Sequence, residues 1–174
     1  MSWQTIRYDG KIKFDNFECE EPILNEYLHK HAINDHNNDF STLYLLINDN
    51  LDVCAFFVLS NGSISRKDNL PNAKARRNLK YSTLGTIHIG RLARHKDIIG
   101  QKLGIRTMHS ALETAVESSK SSAAWAVTVD AKNNKAENFY ANFGFVKLKQ
   151  IESNSEFPKA MYLKISDARH IIEP

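Results

Sequence analysis

Cysteine is scarce in this chain. Cys19 and Cys54 lie far apart, with no CxxC pair, so neither a disulfide framework nor a zinc knuckle is indicated and two buried thiols are expected. No apolar run approaches the roughly 18 residues needed to cross a bilayer. The opening MSWQTIRYDGKIK also lacks the apolar segment of a secretory signal, so a cytoplasmic protein is expected. The seven histidines show neither HExxH nor another metal-ligand spacing, and no metal is expected. A P-loop requires GxxxxGK and then Ser or Thr, whereas Gly100 and Gly104 are four apart and are followed by Ile105 and Arg106. The GxGxxG triplet of a dinucleotide-binding turn is missing as well.

What is present is the balance of one globular domain: 174 residues, 42% hydrophobic and 25% charged, read as a single domain over residues 1–174. The net charge of +3 is too small to imply nucleic-acid binding, but it is unevenly spread. Between Arg66 and Lys80 six basic residues face Asp68 alone, which leaves +5 in this segment and −2 elsewhere. Such a run is either a solvated surface loop or a surface for a polyanion.

The hydrophobic pattern predicts a helix from Pro22 to about Ile33, a hairpin of Thr42 to Ile47 and Val53 to Ser60 around Asn48–Asn50, and a short helix or turn in Ala73–Leu79. A strand over Thr86–Ala93 follows, then a long helix whose apolar face is expected at Ile105, Met108, Leu112 and Ala115 or Val116. Next come a strand at Trp125–Val129, a helix at Asn133–Phe143 closed by Gly144, and an antiparallel pair, Phe145–Ile151 with Met161–Ile165. This order implies an α/β fold with one mixed sheet.

The stretch IHIGRLARHKDIIGQKLG, Ile87 to Gly104, carries the chemistry. A strand enters a polar, glycine-punctuated turn that leads into a helix, so unpaired backbone amides and the positive end of the helix dipole converge on one spot suited to an anion.

With the P-loop and dinucleotide spacings excluded, this segment resembles motif A of the GNAT acetyltransferases, a turn of the form Arg or Gln, x, x, Gly, x, Gly or Ala. Gly104 occupies the last position, while Ile99 and Lys102 stand where the family has its first polar residue and first glycine. Downstream, AVTVDAKNNKAENFYANFGFVKL resembles the strand, tyrosine-bearing helix and Gly-Phe strand of motif B. Arg76–Asn78, GRLA at Gly90–Ala93, FYANFGF at Phe139–Phe145 and the early FDNFECEEPILNEYLHKHA resemble a GNAT subgroup, the toxins that acetylate aminoacyl-tRNA. The resemblance spans about Phe14 to Ile165.

It implies a twisted mixed sheet with splayed middle strands and flanking helices, and acetyl-CoA as cosubstrate without a metal. The backbone of Leu92, Ala93 and Arg94 would hold pantetheine, and the amides of Ile99, Gly100, Gln101, Lys102, Leu103, Gly104 and Ile105 the pyrophosphate, with Arg94 and Lys96 adding charge at the mouth. Asn133 would bond the pantetheine or adenosine part, or else cap its helix. Tyr140 is the implied catalytic acid, donating to the departing sulfur. His88 and His95 flank the segment as proton relays or as structural histidines. Arg76 and Arg77 would meet tRNA phosphates. A small antitoxin is the implied partner, and a homodimer is left open. Two alternatives stand beside this reading: a GNAT acting on a small-molecule amine or protein lysine, and a non-catalytic acyl-CoA-binding module.

Overall fold

The computed structural model describes residues 3–98, 102–149 and 156–173. Among them the chain runs β1 (Gln4–Arg7), α1 (Pro22–Lys30), α2 (Ala32–Asn37), β2 (Thr42–Ile47), β3 (Val53–Ser65), α3 (Ala73–Arg76), β4 (Thr83–Arg94), α4 (Leu103–Ser121), β5 (Ala126–Ala131), α5 (Asn134–Asn142), β6 (Val146–Lys147), β7 (Lys159–Lys164) and α6 (Ile165–Ile172). The strands form a mixed sheet in the order β1-β2-β3-β4-β5-β7-β6. Neighbours β4 and β5 are joined through α4, the crossover that parallel strands require. No helix among the described residues is long and apolar enough to cross a membrane.

The chain divides into two compact units. The first comprises Met1–Ser60 and Ile89–Ala111. Here β2 pairs antiparallel with both β1 and β3, with Leu45 opposite Ile6 on one side and Phe56 on the other. Its core gathers Phe14, Phe17, Leu28, Leu43, Leu45, Phe56 and Ala93. Burial of these large side chains, roughly 2 kcal/mol each, is what holds the irregular segment before α1 against the sheet.

The second unit comprises Asn61–His88 and Leu112–Pro174. In it β7 pairs antiparallel with β5, placing Thr128 opposite Tyr162, and with β6, placing Val146 opposite Tyr162. Ile64, Leu70, Leu84, Ala126, Leu148 and Tyr162 form its core. Both cysteines are buried, and burial followed by the nearby Asp52 charge pushes the Cys54 thiol up to about 11.

Several expectations need correction. The first helix breaks at His31, whose φ of −121° leaves the helical range, although Leu28 and Ala32 keep the same buried spacing across the break. Strand β3 continues five residues past Ser60 because its polar end, NGSIS, keeps Ile64 buried. On α4 the buried side chains are Leu103, Thr107, Met108, Ala111, Leu112, Ala115, Val116 and Ser119, whereas Ile105 is 43% exposed: the stripe is set by the helix starting at Leu103. The strand expected over Phe145–Ile151 is reduced to Val146–Lys147, and Ile151 and the turn residues Ser153, Asn154 and Ser155 lie outside the described residues. Strand β1 and helix α6 were unforeseen. The first is four half-exposed residues, too short to show alternation, and the second begins directly where β7 ends.

Candidate active site

The first group of site residues lies at the end of β4 and the start of α4. Beyond β4 the chain is fastened twice, by the His95 N–H donating to the Cys54 carbonyl at 2.7 Å and by the Lys96 N–H donating to the Glu18 carbonyl at 2.8 Å. The half-buried His95 ring sits edge-on to Phe17, with Nε2 at 3.3 Å from the Asn16 carbonyl. It is a structural fastener. Arg94 donates to the carbonyls of His95 and Ile98 and pairs with Glu20 at 3.3 Å, and Lys96 pairs with Glu18 at 2.7 Å. The charge expected at the mouth is therefore largely answered by Glu18 and Glu20, and Arg94 braces the turn from within. Leu92 is half-buried and Ala93 buried, both placed by the β4 backbone.

Ile99, Gly100 and Gln101 lie outside the described residues. At Lys102 the backbone is left-handed, with φ of +52°, the conformation that the glycine of the motif adopts without strain. Among the described residues the helical ladder of α4 opens with the Arg106 N–H donating to the Lys102 carbonyl at 3.0 Å. The amides of Leu103, Gly104 and Ile105 thus precede the intrahelical ladder, at the positive end of a helix running to Ser121. Thr107 stiffens that first turn, its hydroxyl donating to the buried Leu103 carbonyl at 2.7 Å. A Cβ added at Gly104 would meet nothing within 4 Å. Packing among the described residues therefore does not require this glycine, whereas close approach of a ligand to its amide would. The residues present fit an anionic cofactor such as a pyrophosphate.

The second group is built on α5 and β5. Asn133 caps α5, its Oδ1 accepting from the Ala136 N–H at 2.9 Å, and Gly144 ends it with φ of +85°, as the sequence predicts. That cap commits the Asn133 oxygen. On the same helix Tyr140 is half-buried against Phe139 and Phe145, at ring distances of 5.6 and 5.8 Å. Burial first, and the Asp130 carboxylate second, push the phenol up to about 12. It is a proton donor at any physiological pH. One turn earlier Glu137 is held by Lys147 and Lys159, whose hydrogen bonds keep its carboxyl below the usual range.

His88 belongs to this group. Its Nδ1 lies 3.0 Å from the Thr128 hydroxyl and its Nε2 3.8 Å from Asp130 Oδ2. Thr128 and Asp130 were not singled out from the sequence, yet the signal is there: two apart on β5, they share a face of that strand. Among the described residues no group of three or more His, Cys, Asp or Glu is placed to hold a metal ion.

The basic segment is partly self-tied. Arg66 donates to the Leu79 carbonyl and Arg76 Nη1 to that of Leu70 at 3.2 Å, while Asn72 caps α3. Lys67, Lys74, Arg77 and Lys80 are exposed. Of the two arginines singled out, Arg77 presents its charge to solvent and Arg76 helps shape the loop.

Comparison with known proteins gives a consistent answer. The family described as acetyltransferase (GNAT) domain matches residues 76–159. A tRNA-acetylating toxin of Mycobacterium tuberculosis is 29% identical over 157 residues, spanning 90% of this chain and 89% of the relative. The structure of AtaT complexed with acetyl-methionyl-tRNAfMet superposes with a TM-score of 0.83 at 22% identity, covering 98% of this chain and 99% of that one. An AtaT variant bound to the C-terminus of the antitoxin AtaR and acetyl-CoA gives 0.77 at 19% identity, with 100% of both chains covered. The two structures establish likeness of fold.

Lys102 is the strained position of the turn, since a left-handed lysine costs about 1 kcal/mol relative to glycine. Lys102→Gly should move the urea midpoint upward at unchanged m-value; an unchanged or lower midpoint would mean that the lysine side chain compensates for its backbone.

Proposed function

We propose that this chain, whose residues 76–159 match the GNAT acetyltransferase family, transfers the acetyl group of acetyl-CoA to the α-amine of an aminoacyl-tRNA. The observation that carries this reading is the start of α4, where the amides of Leu103, Gly104 and Ile105 precede the helical ladder and packing among the described residues does not demand Gly104. Those amides hold the pyrophosphate, with Lys102 adding an ammonium nearby. The backbone of Leu92, Ala93 and Arg94 holds the pantetheine arm. When bound, acetyl-CoA supplies the thioester that the acceptor amine attacks.

Tyr140 acts at the sulfur. Its phenol keeps its proton past the ordinary tyrosine value, so it approaches the developing thiolate as a donor and never as a competing anion. An α-amine titrates near 7.7–8.0, and a good fraction is already neutral at pH 7, whereas a lysine near 10.4 would demand a strong base. This fits an aminoacyl-tRNA acceptor. The exposed Lys67, Lys74, Arg77 and Lys80 contact its phosphates, in sequence-independent fashion. A small antitoxin protein neutralises the enzyme, and charged tRNA places its action in the cytoplasm.

Incubation with radiolabelled acetyl-CoA should transfer label to charged tRNA and not to the same tRNA deacylated, and Arg77→Glu should lower kcat/KM for charged tRNA alone. Label that ignores charged tRNA overturns the substrate assignment. Tyr140→Phe should reduce kcat by about 10²-fold with little change in the acetyl-CoA Kd. In the intact protein kcat should show no loss attributable to this phenol between neutrality and about pH 10. Gly104→Ala should fold at least as stably, since alanine favours helix by about 1 kcal/mol. Calorimetry should nevertheless show weaker acetyl-CoA binding, and an unchanged Kd would remove Gly104 from the cradle.

A further inference from the structure

The basic loop is fastened more closely than solvation alone requires. Leu70 is fully buried, and Ala75 and Leu79 pack against the same core of the second unit, so the loop has an apolar underside of its own. Polar ties complete the fastening. The Arg66 guanidinium donates to the Leu79 carbonyl and its backbone N–H to the Ser82 carbonyl at 2.8 Å, and Arg76 donates to the Leu70 carbonyl at 3.2 Å. The Asn69 side chain accepts from the Ser65 N–H at 2.7 Å, while its carbonyl accepts from the Lys149 N–H at 2.6 Å. Lys67, Lys74, Arg77 and Lys80 stand exposed on this anchored frame. Cations carried on a fixed backbone lose less freedom when they meet phosphates.

Tyr81 adjoins them. Its side chain is 75% exposed, more than any other large apolar side chain among the described residues, and its ring pairs with no other aromatic there. Isolated apolar side chains on a surface are ordinary, and the setting is what distinguishes this one. It follows Lys80 directly, the carbonyls of Leu79 and Ser82 that bracket it are both held by Arg66, and Asp68 is the sole acid between Arg66 and Lys80. A fixed, uncovered ring among cations offers two contacts at once: its face stacks on a planar base while its charged neighbours take the phosphates beside it. A duplex keeps its bases stacked on one another, so the faces open to such a ring belong to unpaired nucleotides.

We propose that Tyr81 stacks on an unpaired base at the acceptor end of the RNA, while Lys67, Lys74, Arg77 and Lys80 hold the adjoining phosphates. The aminoacyl group of a charged tRNA is carried on an unpaired 3′ end. A contact that demands an unpaired base therefore selects the end bearing the reacting amine over duplex of equal charge. The stack is indifferent to base identity, since every base has a π face. Salt weakens the phosphate contacts and leaves the stack nearly untouched. The proposal rests on the reading of aminoacyl-tRNA as the acceptor, and its test separates the two.

Two fluorescent RNA hairpins with the same stem, one blunt and one with a short unpaired 3′ overhang, are compared by anisotropy alongside acetylation of charged tRNA. The intact protein should favour the overhang. Tyr81→Ala should weaken overhang binding about tenfold, leave the blunt hairpin unaffected, and lower kcat/KM for charged tRNA by a similar factor at an unchanged acetyl-CoA Kd. Tyr81→Phe keeps the ring and should bind as the intact protein does. Salt separates stacking from charge: the slope of log Kd against log salt should stay the same in Tyr81→Ala and become shallower in Arg77→Glu. The proposal is overturned if Tyr81→Ala binds the overhang as tightly as the intact protein, if it weakens both hairpins equally, or if Tyr81→Phe is as defective as the alanine variant. If the intact protein acetylates no charged tRNA yet shows an overhang preference that Tyr81→Ala abolishes, the acceptor reading falls and the stacking contact stands.

Discussion

Backbone pairing of β4 is the interaction on which the functional residues depend. The Trp125 N–H donates to the Gly85 carbonyl at 2.8 Å near the start of the strand, and the His95 N–H donates to the Cys54 carbonyl at 2.7 Å just beyond its end. A strand held at both ends cannot slip by one residue without turning every side chain to the opposite face. In the second unit the bond at Gly85 sets the register that turns His88 toward Thr128, and in the first the bond at Cys54 sets where the chain leaves β4.

Around that strand the protein keeps charge in short, answered pairs. Glu18 with Lys96 and Glu20 with Arg94 tie the segment before α1 to the end of β4, and Glu137 receives two lysines on α5. Exposed pairs of this kind contribute little to stability, because water screens them. Their value is directional: Glu18 and Glu20 fix the segment before α1 against the end of β4. The basic loop follows the same economy, with Arg66 and Arg76 bound to loop carbonyls while Arg77 and its lysine neighbours face solvent.

The candidate chemistry divides between backbone and side chain. At Leu103–Ile105 the proposed binding groups are amides, so Lys102 and Ile99 can depart from the motif without removing that proposed mechanism, at the cost of a left-handed lysine. At Tyr140 the chemistry is a single hydroxyl whose acidity depends on burial and on Asp130. Substitutions in the first region act through conformation, and in the second through charge.

Local chemistry was legible from the residues alone. Asn133 as a cap, Gly144 as a helix stop and the Asn48–Asn50 turn all follow from hydrogen-bonding side chains and allowed dihedrals, which depend only on near neighbours. FYANFGF points to Tyr140 only through its resemblance to the family motif. Tertiary structure decided what depends on distant partners. It split the first helix at His31, turned Ile105 outward, spent Arg94 and Lys96 on the acids before α1, and made His95 a fastener. It also joined His88 to Thr128 and Asp130, forty residues along the chain. Spacing within one segment is written in the sequence, whereas the pairing of two segments is settled only when the sheet brings them side by side.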